Sequence, residues 1–205
     1  MSTIGRRKDS QEVSKHILHT AKCLFAEHGV GAVSMHQVAK AAHIGQATLY
    51  RRYANKSDLC MELMEENFKA FANDVRNKLD AKSTMSVQDR LTVVAQRLIL
   101  FLDKEFEWIS VINLQSRQCE ANDQTFFNSP PYQFLFATYH SLLSEALKNN
   151  EIVDIDITFT AHILITGFPP ESYMYVREVL GYTSAQIADY YCQSFIKPLF
   201  KVKTM

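Results

Sequence analysis

Apolar residues in this chain return every three and four positions almost from end to end, and no useful stretch alternates every two. That period is the signature of amphipathic α-helices. Val13, Ile17, Leu18, Ala21, Leu24 and Phe25 set it over residues 12–28, and Gly29 and Gly31 supply a stop. Six glycines and five prolines in 205 residues are too few for a β-sandwich, which needs a turn about every 8–12 residues. The sequence therefore predicts an all-α protein.

The helix boundaries are written in capping residues. Ser34 with Gln37 forms a capping box for a short helix, and His43-Ile44-Gly45 breaks it. Gln46–Tyr53 reads as a second short helix. Asn55 with Asp58 caps a long one, whose inward stripe is Leu59, Leu63, Met64, Phe68, Phe71 and Val75. Asp80–Met85 is polar linker. Ser86 with Asp89 starts another helix, and a break near Asp103–Phe106 leads into one around Trp108–Glu120. Asn122–Pro131 reads as a loop, because Pro130-Pro131 does not fit a helix interior. Tyr132–Lys148 is helical. Asp154 or Asp156 caps a helix reaching Gly167, Pro169-Pro170 interrupts it, and Ser172–Leu180 resumes it. Thr183 with Gln186 boxes a last helix to about Lys197.

The formal charge is zero, but it is unevenly spread. Residues 1–56 hold nine basic residues against three acids, or +6; residues 57–205 hold 13 against 19, or −6. A basic segment of this kind points to a polyanionic partner. The longest unbroken apolar run, Leu98–Leu102, is far short of the roughly 18 residues of a membrane span. No apolar stretch follows the basic residues of the N-terminus, so no signal peptide is expected, and the location is cytoplasmic. Cys23, Cys60, Cys119 and Cys192 lie far apart and read as reduced thiols. His16 and His19 stand one turn apart without a third ligand nearby, so no metal and no cofactor are expected.

The informative segment is 34–53, SMHQVAKAAHIGQATLYRRY. It reads as two short helices joined by a three-residue turn, with Val38, the small Ala39, Ile44 and Leu49 at the contact positions. A helix-turn-helix places its second helix in the DNA major groove. Here that helix offers Gln46, which can pair with adenine, and Thr48, whose methyl can meet a thymine methyl. Tyr hydroxyls, the arginines and Lys56 suit phosphates. Arg6, Arg7 and Lys8 read either as an arm for the minor groove or as a solvated tail.

Residues 17–63 resemble the N-terminal domain of the tetracycline-repressor (TetR) family of bacterial regulators. The matching strings are IL-x-x-A-x-x-LF-x-x-x-G, then S-M-x-x-VA-x-A, then A-TLYRRY-x-NKSDL. The chain departs from the family in the turn, where the usual Gly is His43 and the usual Ser or Thr is Gly45. The resemblance implies an N-terminal three-helix DNA-binding domain over 1–56, with its helix-turn-helix at 34–53 and a connecting helix over 55–75. A larger ligand-binding and dimerisation domain then fills 75–205. Carried over by position, Gln46, Ala47, Thr48 and Tyr50 face the bases. Arg52, Tyr53 and Lys56 face phosphates or the groove edge, and Ser34 and His36 lie near the backbone. The implied protein is a homodimeric transcriptional regulator and no enzyme: a repressor that leaves a palindromic operator when a small apolar or aromatic effector binds. Effector candidates are Phe101, Trp108, Gln115, Tyr139, His140 and His162, with Leu59–Val75 as the lever. The last helical regions, about 156–180 and 184–200, carry the dimer. The alternative is an all-helical ligand-binding protein or enzyme whose N-terminal hairpin is structural or binds a protein partner.

Overall fold

Helix α1 (Thr3–His28) begins well ahead of the apolar pattern, so Arg6, Arg7 and Lys8 stand inside a helix and not in a tail before it. The computed structural model describes residues 3–81, 85–116 and 127–202, and the side chains of 12–81, 85–111 and 127–202. The helices that follow are α2 (Met35–Ala41), α3 (Gln46–Tyr50), α4 (Lys56–Asp80), α5 (Val87–Lys104) and α6 (Phe106–Ser116). After them come α7 (Pro130–Lys148), α8 (Ile157–Thr166), α9 (Pro170–Met174) and α10 (Ser184–Tyr191). Helices α9 and α10 each run on into a wider π-helical turn, Tyr175–Val179 and Cys192–Ile196. The one β contact among the described residues is an isolated antiparallel bridge from Ile152 to Phe200.

The capping residues act as the sequence predicts. Side chains of Ser34, Ser86, Asp156 and Thr183 accept from the third amide of their helices. The choice between Asp154 and Asp156 falls to Asp156, which accepts from the Phe159 amide at 2.8 Å. One expectation fails. Pro130 and Pro131 open α7 behind the Ser129 cap, whereas they were expected in a loop. First-turn amides have no partner within the helix, so proline costs nothing there. Residues 122–126 of that expected loop lie outside the described residues, as does Cys119. Cys23, Cys60 and Cys192 are free thiols. No helix among the described residues is long and apolar enough to cross a membrane.

The packing divides the chain inside α4. One compact unit comprises Met1–Asn67 with Glu107–Glu120, the other Phe68–Phe106 with Ala121–Met205. Ile17, Phe25, Val30, Val38, Leu49 and Leu59 form the core of the first. Trp108 of α6 packs edge-on against Phe25 there, with ring centres 5.3 Å apart. In the second unit, Val75, Leu91, Ile99, Tyr139, Leu143 and Ile187 are central. Arg97 pairs with Asp74 at 3.2 Å, and Arg90 pairs with Glu145.

Asp103, at the end of α5, ties that helix to α9: Tyr173 donates to its carboxylate, and Arg177 Nε donates at 3.3 Å. Burial alone pushes the Asp103 carboxyl up. Hydrogen bonds from Tyr173, Ser184 and Arg177, with the Arg177 charge, outweigh this and hold it below its ordinary 3.8. A carboxyl depressed in the fold stabilises above its unfolded pKa, and the gain disappears as pH falls through the folded value. Asp103→Asn should therefore lower the urea midpoint at pH 7 and approach the wild type near pH 3. Equal deficits at both pH values would show that the charge contributes nothing.

Candidate nucleic-acid interface

The turn between α2 and α3 is built without glycine at its left-handed position. His43 has φ +52°. Its amide donates to the Lys40 carbonyl at 3.1 Å, and the Ile44 amide reaches back to Ala39 at 3.0 Å. These two bonds form a Schellman closure of α2, and Ile44 packs onto the core of the first unit. His is among the few side chains that tolerate this backbone region. Gly45 then opens α3 with extended backbone and no side-chain cap, its carbonyl accepting from the Thr48 and Leu49 amides. Leu49 is fully buried and seats the helix.

That seating turns the other face of α3 outward. Gln46 and Ala47 are exposed, Thr48 is half-buried, and Tyr50 is 47% exposed. Gln46, Ala47 and Tyr50 thus present groups to solvent, while Leu49 takes the inward position. At the start of α2, His36 is exposed. Ser34 is exposed too, but its hydroxyl donates to Gln37 Oε1 at 2.8 Å within the capping box. To donate to a phosphate it must first release that bond.

The three residues expected at phosphates are held by the protein itself. Tyr53 is the clearest correction: it is 3% exposed, a core ring and not a groove-edge residue. Burial, reinforced by Glu62, pushes its hydroxyl up to about 12. Arg52 is half-buried and donates through Nη1 to Ser14 Oγ of α1 at 2.8 Å. Lys56 donates to the Gly31 carbonyl at 3.3 Å and lies 5.7 Å from the centre of the Phe25 ring. Burial lowers its ammonium pKa. Cys60, one turn on, is buried with its thiol raised to about 11, so it is no thiolate nucleophile at neutral pH.

The effector candidates do not converge. Phe101 joins Phe71 at 4.7 Å in an aromatic group that continues to Phe68 and Phe134, with the Arg76 guanidinium 4.8 Å from the Phe134 ring centre. His140 and His162 belong to another group. Tyr132 stacks on Phe136, Phe136 meets His140, and the Tyr132 hydroxyl lies 2.8 Å from His162 Nδ1. Sequence reading missed this ladder, although the spacing of 132, 136 and 140 is that of one helix face. Tyr139 is fully buried in the core of its unit. Trp108, expected in the larger body, packs in the first unit instead. The Gln115 side chain lies outside the described residues. Nor do three His, Cys, Asp or Glu side chains gather anywhere among the described residues.

Residues 17–63 match the family described as "Bacterial regulatory proteins, tetR family". An HTH-type transcriptional regulator of Staphylococcus aureus (strain USA300) is 33% identical over 137 residues, which are 66% of this chain and 70% of the relative. Among solved structures, the fold is shared with Thermus thermophilus FadR, a TetR family transcriptional repressor in complex with lauroyl-CoA. The TM-score is 0.72 at 14% identity, over 93% of this chain and 97% of that one. FadR of Bacillus subtilis in complex with stearoyl-CoA superposes with a TM-score of 0.66 at 17% identity, over 90% and 98%. With the helix-turn-helix, its outward-facing α3 and this ancestry together, the chain belongs to the tetR family of bacterial regulatory proteins and is a DNA-binding transcriptional regulator.

Proposed function

We propose that this regulator is a homodimeric repressor that reads a palindromic operator through α3 and leaves it when a small apolar ligand binds the second unit. The observation that carries the DNA reading is the exposed row Gln46, Ala47 and Tyr50 above the buried Leu49. In a symmetric dimer two such helices meet successive major grooves about 34–36 Å apart. Residues 1–56 serve DNA binding, and the second unit, Phe68–Phe106 with Ala121–Met205, serves effector binding and dimerisation. The exposed apolar face of the last helices supports dimerisation: Phe159, Ile163, Tyr175, Val179, Tyr190 and Phe195 face outward.

The aromatic group of Phe68, Phe71, Phe101 and Phe134 supports an apolar ligand, because it brings α4, α5 and α7 together within one unit. Both named structural neighbours hold acyl-CoA esters. An acyl chain suits such a group, and Arg76 stands beside Phe134 for an anionic end.

Selection of duplexes from random DNA should return a palindrome. Gln46→Ala should lose about 1–3 kcal/mol on it and relax the preference at one base position in each half-site. Lauroyl-CoA should weaken operator binding, and operator should weaken lauroyl-CoA by the same factor. Unchanged operator affinity in Gln46→Ala would remove this residue from the base contacts. Equal ligand affinity with and without operator would remove this ligand from control.

A further inference from the structure

We infer that Ser14 is a positioning residue for DNA reading, holding Arg52 and through it the setting of the recognition helix α3. The inference rests on the DNA reading above. Its starting point is backbone: the Arg52 and Tyr53 amides both donate to the Leu49 carbonyl, each at 2.9 Å. These residues therefore close the last turn of α3 and cannot move independently of it.

The Arg52 side chain runs to another helix. Arg52 Nη1 reaches Ser14 Oγ on α1 at 2.8 Å, a bond between residues 38 apart in sequence. The Tyr53 ring is buried beside it, 3% exposed, and its hydroxyl makes no hydrogen bond. Leu49 fixes where α3 sits. The Ser14 anchor fixes its roll about that point, and the roll decides where Gln46, Thr48 and Tyr50 point. A guanidinium committed to a protein hydroxyl serves geometry before it serves a phosphate. A misplacement of the order of 1 Å is enough to spoil directional contacts.

The test separates geometry from charge. Full-length protein is titrated with the duplex selected by the wild type and with a scrambled duplex of equal length, over a range of salt. Ser14→Ala is the central variant, because alanine is the better helix former and the fold is retained; circular dichroism checks this. Ser14→Ala should bind the selected duplex about tenfold more weakly, the loss of one charge-assisted hydrogen bond. Scrambled-duplex affinity and the salt slope should stay at wild-type values. Ser14→Thr, which keeps the hydroxyl, should restore binding. The inference is overturned if Ser14→Ala binds the selected duplex as well as the wild type or better, since Arg52 then works from a phosphate. It is equally overturned if both duplexes lose affinity and the slope flattens by about one unit, the mark of a lost phosphate contact. A wild type with no preference among duplexes overturns the DNA reading itself, and this inference with it.

Discussion

Leu49→Ala should destabilise the first unit by about 2–5 kcal/mol, the usual cost of truncating a fully buried leucine that leaves a cavity. The upper half of that range is expected here for two reasons. The core around Leu49 is small, built from α1, α2, the start of α4 and Trp108, so few neighbours can collapse into the space. The leucine also belongs to a five-residue helix, too short to hold itself. Urea unfolding followed by tryptophan fluorescence reads the effect, because the single tryptophan, Trp108, packs on Phe25 in the same core. Leu49→Met, which conserves volume, should cost less than about 1.5 kcal/mol. An unchanged midpoint for Leu49→Ala would mean that α3 is seated by something other than Leu49.

Aspartate in place of Val179 or Phe159 should split the proposed dimer while leaving the folded chain intact. The two side chains are 64% and 65% exposed, so neither supports its own core. A hot-spot residue at the centre of an interface contributes about 2 kcal/mol or more, about thirtyfold in dissociation constant, and an unpaired carboxylate buried in an apolar interface adds to that. Sedimentation at micromolar protein should show the wild type at twice 23.5 kDa and the variants at 23.5 kDa. Thermal unfolding of the variants should become independent of concentration. Operator affinity should fall about 10²–10⁴-fold, because two linked recognition helices become one. A wild type that sediments at 23.5 kDa would remove the dimer from the proposal.

The neighbouring residues along those helices show what sequence could and could not tell. The last two helical regions carry Ile163, Ile165, Tyr173, Tyr175, Ile187, Tyr190, Tyr191, Phe195 and Ile196, more apolar side chains than one small core can bury. The structure divides them: Tyr173, Ile187, Tyr191 and Ile196 are buried in their own chain, while Ile163, Tyr175, Tyr190 and Phe195 face outward. Caps and breaks were legible because they are local; the Ser34–Gln37 and Thr183–Gln186 boxes each lie within four residues. The burial of Tyr53 was not legible, since the core it joins is assembled from α1, α2 and the start of α4. Trp108 was misplaced for the same reason: its partner Phe25 lies 83 residues earlier. His43 was readable as a departure from a sequence pattern, yet only its φ of +52° shows that the side chain accepts the left-handed turn.

The π-helical turns at the ends of α9 and α10 leave a mark on how this chain tolerates changes in length. In each, an amide reaches back five residues and not four: Leu180 to Tyr175 at 3.1 Å, and Lys197 to Cys192. Such a turn holds one residue more than the α-helix around it. Loss of one residue from Tyr175–Val179 would let the helix close as ordinary α without displacing what lies before or after. The same deletion in the middle of α5 or α7 would rotate every following side chain by about 100° and pull the buried stripe out of register. These two wide turns are thus the places where the C-terminal helices can shorten by a codon and keep the phase of the flanking turns, although the outward Tyr175, Val179 and Phe195 lie within them and would themselves be re-aimed.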